Sequence, residues 1–255
     1  MVKQINGLFQ CEECKLHYQE KNWAEKCEAW CKQHNSCNLK ITKHSIEAEK
    51  AQSLQPVVFD VLDTLLDESA IYKKFYNSIM EKYSLRFTPN EFVEFLFEEH
   101  RKIIFTNPHY SFEKTVEEAY QYTVPDANKK DLELLFPLYS ELQLLPGIKE
   151  MLAKTKEKYA LYTLTNCSNK LTKSFQLNER SPTKFTKIFT SEDNGVYKPN
   201  PKAYQKVADF IGLPKEKIIY ISGNNWDVEK AKEFGFKSIP INEFKKLIET
   251  NQTIQ

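Results

Sequence analysis

Short apolar runs alternate with segments of helical periodicity over the last two thirds of the chain. Five such runs, each bounded by polar or turn residues, predict buried strands. They are VVFDVL at 57–62, YALYTLTN at 159–166, KIFTS at 187–191, IIYIS at 218–222 and KSIPIN at 237–242. Segments 146–159, 200–212 and 227–235 have helical spacing with glycine or proline at an end. Because strands separated by helices form parallel sheets, the pattern predicts an α/β fold with a doubly wound parallel sheet.

The interval from Asp67 to about Leu145 interrupts this alternation. It is rich in aromatic residues and in helical periodicity, as in FVEFLFEEHRKIIF at 92–105 and SFEKTVEEAYQYT at 111–123. No strong strand pattern occurs in it. We therefore predict a helical insertion that caps the edge of the sheet.

The polar segment SIEAEKAQSLQP, at 45–56, ends at a proline and predicts a helix tail followed by a linker. It divides the chain into a Cys-rich module with its linker at 1–53 and an α/β domain at 54–250. Within that domain the predicted units are a core at 54–66 and 146–250 and a helical cap at 67–145.

Five of the six cysteines lie close together near the N-terminus. They include a C-x2-C pair, twelve further residues and a C-x3-C pair, a spacing that resembles a ββα zinc finger with cysteines in the two histidine positions. Cys11 and Cys14 would lie on a knuckle, and Cys27 and Cys31 one turn apart on a helix. Four thiolates then predict a structural Zn²⁺ site, which would stabilise a segment too short to bury a large core.

Other interpretations of this module stay open. His17, His34 or Cys37 could replace one of the four ligands, and the thiols could instead be free on a helical hairpin. Residues 1–50 hold eight lysines and seven acidic residues, so the module is nearly neutral. A zinc-stapled module that contacts a protein partner is therefore favoured over one that binds nucleic acid.

Composition limits the location and the partners of the chain. The net charge of +1 gives no field of one sign that would attract nucleic acid or an anionic membrane. No apolar run approaches the roughly 20 residues of a membrane span, and the first residues lack the apolar stretch of a signal peptide. We expect a cytoplasmic protein without membrane contact, in a compartment where clustered cysteines favour a metal site.

Four spaced motifs resemble the haloacid dehalogenase superfamily. They are FDVLDTL at 59–65, LTNCS at 164–168, YKPNPKAY at 197–204 and YISGNNWDVEKAKEFGF at 220–236. The first is similar to the D-x-x-x-T-L nucleophile loop of that family. The resemblance covers about 55–245 and implies a Rossmann-like (Rossmannoid) hydrolase core, with an α-helical cap that closes over a small substrate.

The resemblance implies that Asp60 is the nucleophile, which forms a covalent ester. Phosphatases of the family have a second aspartate two places on, which protonates the leaving group, whereas this chain has Leu62 there. A halide leaving group needs no proton, so the loop resembles that of the metal-free 2-haloacid dehalogenases. Asp63 is expected to point away from the pocket, because residues alternate along an extended loop.

The resemblance also assigns the supporting residues. Those expected to hold Asp60 or to arrange the hydrolytic water are Thr64, Lys198, Ser222, Asn224 and Asp227. Those expected to contact the substrate are Thr165, Asn166 and Tyr204, with Arg101 of the cap to receive the halide. Four alternatives stay open: Asp227 as a helix N-cap, Arg101 facing solvent, Trp226 as pocket wall or core, and Cys167 as a packed thiol.

The leading prediction is a hydrolase of the 2-haloacid dehalogenase type, with zinc in the N-terminal module and no cofactor at the active site. It would displace a leaving group from a small 2-substituted carboxylic acid through an aspartyl ester. The alternatives are a Mg²⁺-dependent phosphatase for a small ester and a non-catalytic binding protein with the same fold.

Overall fold

The structure is a computed structural model that describes residues 2–34, 36–48 and 54–252. The part of the predicted linker at 49–53 lies outside the described residues. Among the described helices, none is both long enough and apolar enough to cross a membrane.

The N-terminal module combines a small antiparallel sheet with one long helix. Strands β1 (Lys3–Ile5), β2 (Leu8–Gln10) and β3 (His17–Tyr18) pair in that order, and helix α1 (Lys21–His34) follows them. A short helix α2 (Leu39–Thr42) comes next. The arrangement is that of the predicted ββα unit with one additional short strand.

Five parallel strands form the central sheet and confirm the predicted α/β fold. They are β4 (Gln55–Phe59), β5 (Tyr159–Leu164), β6 (Lys187–Phe189), β7 (Ile219–Ser222) and β8 (Lys237–Pro240). The spatial order is β6-β5-β4-β7-β8, so the chain order reverses on the two sides of β4. Such a switch point opens a crevice at the carboxyl ends of the strands, directly after β4.

Strand β4 is shorter than the apolar pattern predicts. The strand ends at Phe59 rather than at residue 62, and the backbone turns through Asp63, which has a left-handed φ of 53°. The apolar residues Val61 and Leu65 stay fully buried although they belong to this loop. Burial alone cannot separate a strand from a buried loop, which explains the difference.

Helices fill the interval between β4 and β5, as predicted. The α-helices are α3 (Glu68–Ile79), α4 (Pro89–Thr106), α5 (Phe112–Thr123) and α6 (Leu132–Leu135), with 3₁₀ turns at Lys129–Asp131 and Phe136–Glu141. Helix α4 begins with a capping box between Thr88 and Glu91 and a proline in its first turn, so its start is fixed by sequence. It buries Phe92, Leu96 and Ile103 on one face.

The remaining helices cover both faces of the sheet. They are α7 (Ile148–Thr155), α8 (Asn169–Ser174), α9 (Leu177–Arg180), α10 (Ser191–Asn194), α11 (Pro201–Ile211), α12 (Asn225–Phe234) and α13 (Ile241–Glu249), with a 3₁₀ turn at Lys215–Lys217. Phe59 of β4 packs with Phe244 on one face, whereas its neighbour Val58 shares a cluster with Val207 and Ala231 on the other. Two buried faces explain why these strands have no polar alternation.

Helix α4 offers a direct test of the cap packing. Replacing the fully buried Leu96 with alanine should lower the free energy of unfolding by about 2–5 kcal/mol, because it leaves a cavity. The matched change Phe95→Ala, at a neighbouring side chain that is 46% exposed, should cost less than about 1 kcal/mol. Denaturant unfolding measures both, and equal losses would contradict this helix orientation.

Candidate active site

The carboxyl ends of the two central strands place the candidate nucleophile. Asp60 directly follows β4, and its backbone N–H donates to the carbonyl oxygen of Ile221 in β7 at 2.8 Å. The chain therefore leaves the sheet next to Ser222, the last residue of β7. This pairing brings the first and fourth sequence motifs into contact.

Four side-chain donors hold the buried Asp60 carboxylate. Lys198 Nζ donates to Oδ1 at 2.7 Å, and Thr64 Oγ1 donates to Oδ2 at 2.7 Å. Asn224 Nδ2 and Ser222 Oγ lie 3.2 and 3.3 Å from the same Oδ2. The structure thus gathers around one carboxylate four of the side chains that sequence motifs singled out.

Lys198 lies between two carboxylates and is 2% exposed. Its Nζ donates to Asp227 Oδ2 at 2.6 Å and to the Tyr220 hydroxyl at 2.8 Å, in addition to Asp60. Burial alone would lower the pKa of Lys198, but the neighbouring Asp227 and Asp60 carboxylates outweigh burial and raise this pKa above its ordinary value. Lys198 is therefore a buried cation that balances the charge of the site.

Asp227 supports Lys198 and does not cap its helix. The N-cap of α12 is Asn224, and Asp227 is fully buried in the first turn, which corrects the expected capping role. Tyr204 donates to Asp227 Oδ1 at 2.7 Å and is 1% exposed. The structure thus places Tyr204 behind Asp227, outside the cavity wall, and its expected contact with substrate is replaced by this contact.

The second motif lies beside the same site, and its amide also bonds the backbone of the third motif. Asn166 Nδ2 donates to the Lys198 carbonyl at 3.1 Å, and the Lys198 N–H donates to Asn166 Oδ1 at 2.7 Å. Asn166 therefore fixes the Lys198 backbone, and since an amide nitrogen carries two N–H groups, the second N–H stays available for the expected substrate carboxylate in the cavity that Asn166 lines. Thr165 also lines the cavity, and Cys167 is fully buried in the core.

A cavity of about 400 Å³ lies above Asp60, between the sheet and helix α4. The apolar part of its wall consists of Leu62, Phe97, Ile104, Phe105, Phe112 and Trp226. Trp226 packs edge-to-face on Phe105 at 5.8 Å between ring centroids, so it forms wall rather than core. The size suits a small molecule.

The cap contributes a cation to this cavity. Arg101 lines it from α4, although its side chain is exposed, so the alternative in which Arg101 only faces solvent does not apply. Among the described lining residues, Arg101 and Lys198 are the only lysine or arginine side chains. Since Lys198 is already paired with Asp60 and Asp227, and acidic residues such as Glu94 and Glu98 also line the cavity, Arg101 is the lining cation on which an anionic leaving group would depend.

The nucleophile loop positions Leu62 and Asp63 differently from an extended strand. Leu62 and Asp63 both line the cavity, so Asp63 does not simply point away as alternation predicts. The left-handed turn at Asp63 removes that alternation. Its carboxylate accepts from the Ser69 N–H at 3.0 Å and the Ser69 hydroxyl at 2.9 Å, and burial raises the pKa of Asp63.

Sequence reasoning missed several residues of the site. Tyr220 bridges Lys198 and Asp227 but belongs to an apolar strand, where its hydroxyl gives no separate signal. Gly223 donates its N–H to Thr64 Oγ1 at 2.8 Å, and a Cβ there would collide with the Asp63 carbonyl. The glycine within the fourth motif was the signal for this close backbone approach.

The N-terminal cysteines converge on one point. The Sγ atoms of Cys11, Cys14, Cys27 and Cys31 all lie within 4.8 Å of one another. Other candidate ligands point elsewhere: His17 Nδ1 bonds Glu47 Oε1 at 2.6 Å, and the His34 ring lies 3.9 Å from Trp30. Cys37 packs against the cluster without joining the set of four. Four mutually close thiols suit tetrahedral metal coordination.

Comparison with known proteins identifies the family. A family model of haloacid dehalogenase-like hydrolases matches residues 57–241, most of the chain, so the chain belongs to this family. The match begins after the Cys-rich module.

Individual relatives carry dehalogenase names. (S)-2-haloacid dehalogenase 4A of Burkholderia cepacia is 28% identical over 109 residues, which cover 42% of this chain and 47% of the relative. Haloacetate dehalogenase H-2 of Moraxella sp. (strain B) is 27% identical over 138 residues, which cover 52% of this chain and 62% of the relative. The chain thus spans about half, or slightly more, of the length of these curated relatives.

The fold also matches solved structures. L-2-haloacid dehalogenase from Xanthobacter autotrophicus superposes with a TM-score of 0.61 at 19% identity, over 72% of this chain and 76% of that chain. This similarity shows that the two proteins share a fold.

Replacing Lys198 with methionine tests the charge balance of the site. The variant leaves Asp60 and Asp227 buried without a cation, so the free energy of unfolding at about pH 7.5 should fall by about 3–5 kcal/mol. Because the folded pKa of Lys198 is raised, its contribution is fully present below the unfolded pKa of about 10.4 and is lost as pH rises through the folded pKa. At lower pH the loss should shrink, because burial raises the pKa of Asp227 and this carboxyl is therefore protonated more readily once the cation is removed.

The control is Lys202→Met at an exposed lysine near the start of α11. It should change the free energy of unfolding by less than about 0.5 kcal/mol at either pH. Denaturant unfolding at about pH 7.5 and about pH 5 measures both variants. Equal, small losses for Lys198 and Lys202 would contradict the account of Lys198 as a buried counter-ion.

Proposed function

We propose that this chain is a hydrolase of the 2-haloacid dehalogenase type, acting on a small 2-substituted carboxylic acid. The observation that carries the proposal is the Asp60 carboxylate at the floor of the cavity, held by Lys198, Thr64, Asn224 and Ser222. A nucleophilic carboxylate needs a fixed orientation and an anionic state, and these donors supply both. The residue roles that follow belong to this proposal.

In the first step an Asp60 oxygen attacks C2 of the substrate. A bond forms between that oxygen and C2, the bond from C2 to the leaving group breaks, and the leaving group departs with the electron pair. Lys198 stays protonated and keeps the carboxylate pointed at the cavity. Leu62 in place of an acid does not hinder this step, because a halide leaves without a proton.

In the second step water adds to the Asp60 side-chain carbon and cleaves the ester. The products are a 2-hydroxy acid and the free carboxylate, with one proton released. Ser222 and Asn224, which contact Asp60 Oδ2, would orient the water, and Lys198 would stabilise the negative charge that develops on the ester oxygens. Asp227, with Tyr204 and Tyr220, keeps Lys198 in place during both steps.

The substrate carboxylate and the leaving group need separate partners. The Thr165 hydroxyl, on the cavity wall, would bind the carboxylate with backbone N–H groups of the second motif. Arg101, at the exposed side of the cavity, would receive the halide. The apolar wall excludes water from C2, which strengthens these electrostatic contacts.

Replacing Asp60 with asparagine should abolish this reaction. Halide release from L-2-chloropropionate should fall by at least about a thousandfold, because the amide is a poor nucleophile. The exposed Asp209→Asn change serves as the control and should keep wild-type rates. Release should be the same with and without EDTA, since no step uses a metal ion.

A different outcome would favour one of the alternatives. If the protein releases no halide but cleaves a small phosphate ester only with Mg²⁺, the phosphatase assignment is correct instead. If the wild type shows neither activity, and Asp60→Asn leaves every activity and phenotype intact, the binding protein with a hydrolase fold is favoured.

We propose further that one structural Zn²⁺ is held by Cys11, Cys14, Cys27 and Cys31. We also propose that 1–53 is a unit distinct from the hydrolase domain at 54–250. The four convergent thiols support the metal assignment. Apart from cysteines, the buried core of the module consists of Tyr18 and Ala24, and so small a core needs further stabilisation from a metal ion. Residues His34 and Cys37 form a cleft together with Lys187 and Glu192, so the module contacts its own hydrolase core. A further protein partner of the module is part of this proposal.

Metal content tests the zinc assignment. The wild type should contain about one Zn²⁺ per chain by elemental analysis. Cys27→Ser should lose it and lower the midpoint of thermal unfolding, whereas Cys37→Ser, beside the cluster, should retain it. Equal zinc in both variants, or none in the wild type, would contradict a site made of these four thiols.

A further inference from the structure

One acidic side chain of the cavity has no role in the reaction described above. Glu68 is the first residue of α3, where Asp67 caps the helix by accepting from the Ala70 N–H at 2.9 Å. It lines the same cavity as Asp60 and is 8% exposed. A buried acid in a candidate active site costs stability unless it is neutral or paired, so it marks a function.

Of the two Glu68 carboxyl oxygens, Oε1 accepts a hydrogen bond from the protein. The Tyr139 hydroxyl donates to Oε1 at 2.7 Å, and the Tyr72 and Tyr139 hydroxyl oxygens are 3.1 Å apart. Since Tyr139 donates to Glu68, the bond between the tyrosines runs from Tyr72 to Tyr139. Among the described residues, Oε2 has no hydrogen-bond partner, so a carboxyl proton would sit on Oε2, free for a ligand in the cavity.

The groups around Glu68 favour its neutral form. Asp60 and Asp63 of the nucleophile loop face it, together with Tyr72, Tyr139 and Cys167, and within the described residues no lysine, arginine or histidine forms an ion pair with it. Burial, and after it the Asp63 and Asp60 carboxylates, raise the pKa of Glu68 to about 8, and the Tyr139 bond offsets part of this rise. His100, also on the wall, is neutral because burial lowers its pKa to about 4.

We propose that Glu68 donates a hydrogen bond from Oε2 to the leaving atom of the substrate, which extends the reaction to 2-substituted acids with a strongly hydrogen-bonding leaving atom, such as fluorine. This rests on the proposed function, because Asp60 must attack C2. Leu62 provides no donor at the usual position of the family's acid, whereas Glu68 provides one from the next helix. Arg101 contributes charge at the exposed side of the cavity, and Glu68 a neutral donor at the buried side.

The chemical step balances without a further reactant. The bond from Asp60 to C2 forms while the C2–F bond breaks, and fluoride leaves with the electron pair. The Glu68 proton stays on Oε2 and is shared with fluoride as a hydrogen bond. Because fluoride accepts hydrogen bonds far more strongly than bromide, removal of this donor should affect fluoride release most.

The test compares halide release from L-2-fluoro-, L-2-chloro- and L-2-bromopropionate. Glu68→Leu should lower kcat/KM for the fluoro acid about tenfold or more relative to the bromo acid. Wild-type release of fluoride should fall as pH rises through about 8, because Glu68 loses its proton, while bromide release changes little. Glu68→Gln keeps a hydrogen-bond donor that does not titrate, so its fluoride release should not show this fall.

The outcomes separate this proposal from the proposed function. Bromide release that depends on Asp60, without fluoride release by the wild type, would overturn the role of Glu68 alone. Equal losses for all three halides in Glu68→Leu would likewise overturn it, since they indicate a structural role. If Glu68→Leu fails to fold, the pH profiles of the wild type and Glu68→Gln decide, and identical profiles contradict the proposal. Absence of bromide release by the wild type would contradict the proposed function itself.

Discussion

The buried ammonium group of Lys198 is the interaction on which the rest of the site depends. It lies between Asp60 at the end of β4 and Asp227 in α12, and it bonds Tyr220 as well. Two carboxylates in a dry pocket repel each other and lose solvation, so without the cation one of them would become neutral. With it, the Asp60 carboxylate is held in one orientation at the end of β4, the strand that lies between β5 and β7.

Much of the core site could be predicted because each motif lies at the end of a strand. Parallel strands meet at one edge, so residues that follow β4, β5 and β7 are neighbours even without a structure. This reasoning brought Asp60, Thr165 and Ser222 together. It could not predict the partner of each hydrogen bond. Asn166 bonds the Lys198 carbonyl and Tyr204 bonds Asp227, and only the packed fold brings these groups within hydrogen-bond distance.

The cap was harder to predict, for a physical reason. Helical periodicity indicates which face of a helix is buried, but it does not say whether that face meets the core or a cavity. The sequence therefore could not decide whether Arg101 faces solvent or substrate. Glu68 gave no functional signal, because acidic residues are common in the first turn of a helix. The hydrogen bond that Glu68 Oε1 accepts from Tyr139, 71 residues away, forms only when the helices are packed.

The central claim is that Asp60 attacks the substrate and is regenerated by water. Repeated turnover of L-2-chloropropionate in H₂¹⁸O, followed by peptide mass spectrometry, tests it most directly. The account predicts heavy oxygen in the peptide that carries Asp60, and unlabelled oxygen in the 2-hydroxy acid from a single turnover. Heavy oxygen in that first product, with none in the Asp60 peptide, would show that water attacks C2 directly and would contradict the account.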